Sequence, residues 1–211
     1  MTLVIGIVGG IASGKSAASK AFEKLGAIVI DADAVGHEVL AQSQTKQQIR
    51  DAWGDRVFDE SGNVVRKKIA EIVFTQDSNA LKLLEQITHP KIEARLRQLI
   101  DETPDSVPAL VLDAPILLKA GWDQYCHKVV FVECDRANRW LRAQARGWSE
   151  QMFDARESAQ FPVSAKRNRS TDSVSNNGTI EELQQAIADL WIQWDLPVPN
   201  PAENSDAPKT F

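Results

Sequence analysis

The segment Gly9-Gly10-Ile11-Ala12-Ser13-Gly14-Lys15-Ser16 follows directly on the apolar run Leu3-Val4-Ile5-Gly6-Ile7-Val8. A glycine, four residues and then Gly14-Lys15-Ser16, set between a buried strand and a helix, make a phosphate-binding loop. Glycines let the backbone approach an anion closely and turn several N–H groups toward it. The helix expected over Ser16–Leu25 aims its positive end at the same anion. Ala12, Ser13, Gly14, Lys15, Ser16 and Ala17 are therefore the expected nucleotide contacts. Lys15 reaches the β- and γ-phosphates as a point charge, and the Ser16 hydroxyl is the expected Mg²⁺ ligand. The bland alternative, a flexible surface loop, does not account for the flanking strand and helix. The spacing thus predicts a bound nucleoside triphosphate.

Composition narrows the class. With 211 residues, 43% hydrophobic and 25% charged, the chain can build one α/β domain, alone or carrying a subdomain. A net charge of −5 argues against a general nucleic-acid or membrane-surface binder. The apolar runs are strand-sized, so no membrane span is expected, and the N-terminus opens on a core strand rather than a leader. Cys126 and Cys134 have neither metal-site nor redox-motif spacing, which fits a reduced, cytoplasmic protein with no metal beyond Mg²⁺. From Arg136 to Arg169 eight Lys or Arg residues face three acids, a local basic surplus suited to a bound anion.

Strand and helix patterns alternate. Expected strands are Leu3–Val8, Ala27–Ile30, Ala109–Leu112, Val129–Val132 and a short one around Val174. Gly26 suits the left-handed end of the first helix. Residues 34–104 read as almost wholly helical, broken by the turn cluster Asp59-Glu60-Ser61-Gly62-Asn63. Helices are also expected over Arg136–Arg146, Ser149–Gln160 and Thr179–Trp194, the last capped by Thr179. Such alternation implies an α/β fold, a parallel five-stranded sheet of the P-loop NTPase type flanked by helices. The expected organisation is a nucleotide-binding core over 1–33 and 105–195, with a lid over 136–160. A helical insert would span 34–104, and the Pro- and Asn-rich segment 196–211 reads as a disordered tail. The six tryptophans read as core or covered surface rather than base-stacking platforms.

In a parallel sheet ligands lie beyond the carboxyl ends of the strands. Asp31, Asp33 and Asp113 follow strands two and three and so belong at that edge. Transfer of a phosphoryl group to an alcohol needs a carboxylate that orients the hydroxyl and takes its proton. Asp33 is the expected base, with Asp31 as helper or ligand of a Mg²⁺-bound water. If the backbone stays extended there, the two side chains share a face. Either one could instead cap the following helix. Asp113 is placed to hold Mg²⁺ through water, although strands often end in Asp for turn reasons alone. Arg139, Arg142 and Arg146, at i, i+3 and i+7 with no acid between Arg136 and Trp148, form one helix face that could clamp the migrating phosphoryl group. His89-Pro90 alone reads more simply as a helix boundary.

Taken in order, these blocks make the chain resemble the dephospho-CoA kinase family from about Thr2 to Trp194. The resemblance rests on the phosphate loop, Asp31-Ala32-Asp33 with His37, and Gly62-Asn63-Val64-Val65-Arg66. It continues through Leu84-Glu85-Gln86-Ile87-Thr88-His89-Pro90-Lys91-Ile92 and Asp113-Ala114-Pro115-Ile116-Leu117-Leu118. The Arg142, Arg146 and Gln160 lid pattern and Asn176-Asn177-Gly178 complete it. It implies ATP and Mg²⁺ as cofactors, dephospho-CoA as acceptor, and catalytic roles for Asp33, Lys15, Arg142 and Arg146. It places Asp31, His37, Arg66 and His89 on the substrate side and Asn177 near the adenine. It implies no nucleic-acid or membrane partner, and a monomer or weak homo-oligomer. Three departures stand out: Lys119 where the family usually has Glu, Ala17 where Thr is frequent, and a lid one residue short between Arg146 and Ser149. The alternatives are a nucleoside-monophosphate or shikimate-type kinase, or a nucleotide-binding regulator without catalysis. A GTP-dependent switch would need an Asn-Lys-x-Asp segment, which the sequence lacks.

Overall fold

A computed structural model describes residues 2–75 and 79–197. They divide into two compact units, one of residues 2–31 with 100–197 and one of Ala32–Leu99. The chain leaves the first unit directly after its second strand.

The first unit is built on five parallel strands: β1 (Leu3–Gly9), β2 (Ile28–Asp31), β3 (Ala109–Asp113), β4 (Lys128–Glu133) and β5 (Asp172–Ser175). Their order is β2-β3-β1-β4-β5. From Val4 to Gly9 every residue of β1 is buried, as an unbroken apolar run requires when both faces of a sheet are covered. The core against the sheet joins Ile5, Ile7, Phe22, Val130, Ile187 and Trp191. Helix α1 (Lys15–Lys24) ends at Gly26, whose φ of 96° lets Ala27 N–H reach back to the Phe22 carbonyl. Helix α9 (Ile180–Gln193) opens on Thr179, whose hydroxyl accepts from Glu182 N–H while the Glu182 carboxylate accepts from Thr179 N–H. Such a reciprocal cap contributes about 1 kcal/mol. Trp194 stacks on Phe22 at 6.0 Å, and Trp122 and Trp191 are fully buried, so these three serve the core.

Leu196 and Pro197 correct the expected start of the tail. Leu196 packs on the core and the Pro197 carbonyl accepts from Trp191 Nε1. Residues 198–211, the rest of the expected tail, lie outside the described residues.

The second unit comprises α2 (Ala32–Ala41), α3 (Ser43–Trp53), α4 (Arg66–Thr75) and most of α5 (Ala80–Asp101). It has its own core of Ile49, Trp53, Val57, Phe58, Ile69 and Ile72. The Asp59–Asn63 cluster forms the expected turn: Asn63 N–H donates to Asp59 Oδ1 at 2.7 Å, and an antiparallel bridge joins Phe58 to Val64. That N–H bond holds the Asp59 carboxyl below its usual range. Pro90 does not end a helix. It sits inside α5, where it has no N–H to give the preceding turn, and Lys91 Nζ donates to the Ile87 carbonyl beside it at 3.0 Å.

Candidate active site

The phosphate loop joins the end of β1 to α1. Gly14 has φ 95°, and a Cβ there would collide with Asn176 Nδ2, so conformation and space both require glycine. Ala12 is buried with φ 57°, a left-handed backbone that costs a non-glycine residue about 1 kcal/mol and is found where function demands it. Lys15 Nζ donates to the Gly10 carbonyl at 3.2 Å. Burial pushes the Lys15 ammonium down; Asp113 opposes that shift, while Arg146 and Arg139 add to it. Ser16 is solvent-exposed on the first turn of α1.

The strand register places the first two acids. Asp113 on β3 pairs with Ile7 of β1 on one side and with Asp31 of β2 on the other. The two carboxylate-bearing residues thus lie on neighbouring parallel strands, about 4.8 Å apart. Asp113 Oδ2 accepts from Ser19 Oγ at 2.8 Å, which fixes the carboxylate against α1. Asp33 does not continue the strand. Helix α2 begins at Ala32, so Asp33 lies in its first turn; the backbone does not stay extended, and the condition for Asp31 and Asp33 to share a strand face is not met.

One exposed hydroxyl, Ser16, and one tethered carboxylate, Asp113, suit Mg²⁺. That ion keeps several waters and takes few protein ligands alongside substrate phosphates. Among the described residues no group of three or more His, Cys, Asp or Glu forms an all-protein metal cage.

The arginine row is split between different tasks. Helix α6 (Arg136–Gln144) ends before Arg146, which lies exposed in the turn closed by Gly147 at φ 77°. Arg139 is 5% exposed, pairs with Glu157 of α7 (Glu150–Ser158), and donates from Nε to the Cys134 carbonyl at 3.1 Å and from Nη1 to the Ile11 carbonyl at 3.4 Å. It is a structural strut, not a clamp. Arg142 donates to the Ser13 carbonyl at 3.1 Å and the Asn176 carbonyl at 2.8 Å. Asn176 Nδ2 donates to the same Ser13 carbonyl at 2.7 Å. Asn177 is exposed and its Oδ1 accepts from Asp135 N–H at 2.8 Å, joining the turn after β4 to the turn after β5.

One residue beside the phosphate loop escaped the sequence reading. Lys166, on the short helix α8 (Val163–Asn168), is 4% exposed and donates to the Gly9 carbonyl at 2.9 Å and to Gln160 Oε1 at 2.8 Å. Burial, then Lys15 and Arg139, push its ammonium down to about 8. A cavity of about 120 Å³ is lined by Gly9, Lys15, Pro115, Lys119, Gln160 and Lys166 among others, and no acid lines it among the described residues. The only sequence signal was membership in the basic stretch 136–169.

Within the helical unit, His37 and Arg66 line one cavity of about 180 Å³ together with Lys46 and Asn63, and Lys46 Nζ donates to Asn63 Oδ1 at 2.9 Å. Arg66 and Leu40 also line a neighbouring apolar groove of about 330 Å³ with Ile69, Val73, Leu81 and Leu84. His89 is half-buried on α5 and lines neither.

Comparison with known proteins bears on this geometry. The dephospho-CoA kinase family matches residues 3–182. A dephospho-CoA kinase from Geobacter sulfurreducens is 40% identical over 194 residues, covering 90% of this chain and 98% of the relative. The crystal structure of TT1252 from Thermus thermophilus superposes with a TM-score of 0.77 at 30% identity, covering 91% of this chain and 97% of that one. A shikimate kinase from Acinetobacter baumannii, solved with shikimate, shares the fold at a TM-score of 0.54 and 14% identity over 93% of this chain and 97% of that one.

Proposed function

The chain belongs to the dephospho-CoA kinase family, and we propose that it moves the γ-phosphoryl group of ATP to the ribose 3′-hydroxyl of dephospho-CoA, giving ADP and coenzyme A. The observation that carries the reading furthest is the strand register. Asp31 and Asp113 lie side by side at the strand ends, next to the loop that holds Lys15. Acids at the phosphate end of the sheet suit group transfer, where binding alone would need only the loop.

In this reading the backbone N–H groups of Ala12 to Ala17 and the Lys15 ammonium hold the triphosphate. Ser16 and Asp113 hold Mg²⁺, which when bound neutralises charge on the phosphate oxygens. The Asp33 carboxylate accepts the proton of the acceptor hydroxyl. The ribose oxygen forms its bond to the γ-phosphorus as the bond to the β,γ-bridging oxygen breaks, and that electron pair leaves with ADP. Arg146, exposed and acting on the Lys15 charge, is the arginine available to the phosphoryl oxygens. Arg142 contributes by holding the Ser13 carbonyl and so the loop. His37 and Arg66, gathered in one cavity, together with His89 take the acceptor's own phosphates and polar groups.

The proposal includes a cytoplasmic enzyme, monomeric or weakly oligomeric, without nucleic-acid or membrane partners. Among the described residues no helix is long and apolar enough to cross a membrane. An ADP-release assay offering dephospho-CoA, nucleoside monophosphates and shikimate in parallel tests the acceptor. Turnover of dephospho-CoA at least tenfold above the others is expected. Preference for another acceptor removes the assignment, and no turnover with any of them supports a non-catalytic regulator.

A further inference from the structure

Lys15 and Lys166 come from different ends of the first unit, yet their ammonium groups sit on neighbouring carbonyls. Lys15 Nζ is on Gly10 O at 3.2 Å and Lys166 Nζ is on Gly9 O at 2.9 Å. Both line the same cavity, which no acid lines among the described residues. A lysine this deeply buried normally has a carboxylate partner. Among the described residues the two hydrogen-bond acceptors of Lys166 are neutral, the Gly9 carbonyl and the Gln160 amide oxygen. The charged groups that face it are Lys15 on α1, Arg139 on α6 and Glu157 on α7, and Glu157 is already paired with Arg139. Cations thus outnumber acids around a partly open cavity at the phosphate loop.

We propose that Lys166 is a second phosphate-facing cation of the transfer site, acting with Lys15 on the terminal phosphate of the triphosphate. The proposal rests on the kinase reading above. A merely structural lysine would explain the Gly9 contact. It would not explain why the same residue helps line the cavity that Lys15 lines, in a setting of surplus positive charge. Arg139 and Arg142 supply the contrast, since they brace loop carbonyls without lining that cavity. Burial and its cationic neighbours hold the Lys166 ammonium near pH 8, so it carries its proton below that pH and loses it above. An incoming polyanion favours the charged form.

The test uses the full chain, with Lys166→Met and Lys166→Arg beside the wild type. Steady-state kinetics with ATP and dephospho-CoA are recorded from pH 6.5 to 9.5, with calorimetric titration of ADP and of a non-hydrolysable ATP analogue. Loss of one preorganised charged donor lowers kcat by about tenfold or more in Lys166→Met, with the acceptor KM within about threefold. Affinity for the ATP analogue falls roughly fivefold more than affinity for ADP, because only the former carries the third phosphate. In the wild type kcat/KM for ATP declines as pH rises through about 8, and Lys166→Arg, whose charge persists, moves that decline upward. An ATP-analogue affinity and kcat within about twofold of wild type in Lys166→Met overturns the proposal. So does an unchanged alkaline decline in Lys166→Arg, which assigns it to another group. Should Lys166→Met not fold, the arginine profile decides. If the wild type does not turn over dephospho-CoA, the kinase reading falls, while the difference between analogue and ADP binding still decides Lys166.

Discussion

Replacing Gly14 by Ala tests how the loop is held. A Cβ on Gly14 meets the Asn176 amide nitrogen inside any van der Waals separation, and the backbone there has φ 95°. The left-handed conformation costs an L-residue about 1–2 kcal/mol. Moving Asn176 aside breaks its 2.7 Å bond to the Ser13 carbonyl, worth about 1–1.5 kcal/mol more. Gly14→Ala should therefore cost about 2–3.5 kcal/mol, summing the strain and the lost bond. In an Asn176→Ala background the amide is gone and the Ser13 carbonyl keeps Arg142 as donor. The same glycine substitution should then cost only the backbone strain, about 1–2 kcal/mol, leaving a coupling of about 1–1.5 kcal/mol between the positions. Urea denaturation of the four proteins, with m-values checked for constancy, measures the cycle. Additivity within about 0.5 kcal/mol would refute the collision. Nucleotide titration of the same four proteins should show Gly14→Ala weakening ATP in the wild-type background more than in the Asn176→Ala background.

Asp33→Asn should lower kcat by about a hundredfold or more while ATP affinity stays within about threefold, since the lost function is proton acceptance; near-normal turnover removes Asp33 from the chemistry. Arg139→Met and Arg146→Met should separate. The first removes a buried guanidinium that pairs with Glu157 and donates to the Cys134 and Ile11 carbonyls, and the three lost bonds cost about 3 kcal/mol of stability in urea, at about 1 kcal/mol each. The second, exposed, leaves the urea midpoint unchanged and lowers kcat, and equal stability loss in both would contradict the split. Cys126, pushed up to about 12 by burial and by Asp123, should be inert to a disulfide reagent at pH 8, where only about one molecule in ten thousand carries the thiolate. Its rapid labelling in the folded protein would contradict that burial.

Local pattern carried much of the reading, and non-local pairing carried the rest. The run from Leu3 to Val8, the Gly26 stop and the Thr179 cap depend on near neighbours in sequence, and each stands where the sequence places it. The strand order β2-β3-β1-β4-β5 depends on which crossovers pair, and nothing local encodes it. Helical spacing put Arg139, Arg142 and Arg146 on one face, yet the helix stops at Gln144 and the partner that buries Arg139 lies on the next helix. The sequence leaves Asp33 open between an extended strand end and a cap of the next helix, and α2, starting at Ala32 with no intervening turn, puts it in the first helical turn. Pro90 looked like a boundary because proline usually is one. Lys166 is one cation in a basic stretch, and only burial against Gly9 sets it apart from Arg167 and Arg169.

The basic surplus of residues 136–169 has a physical reason that sequence counting could not supply. A loop that turns its N–H groups toward a phosphate turns carbonyl oxygens the other way, and each of these needs a donor. The carbonyls of Gly9, Gly10, Ile11 and Ser13 accept from Lys166, Lys15, Arg139 and Arg142 respectively. A cation on a carbonyl polarises its peptide unit and strengthens the N–H on the other side of the same bond. Those N–H groups belong to Gly10, Ile11, Ala12 and Gly14, within the loop itself. Three of the four cations come from the segment read as a lid and the helix after it, so its charge acts on the loop's N–H donors through the backbone. Replacing Arg142 by Met should accordingly weaken ADP and the ATP analogue alike, because it relaxes donors common to both. Replacing Lys166 should weaken the ATP analogue selectively. Equal selectivity in the two variants would place both cations in the same role and undo this division.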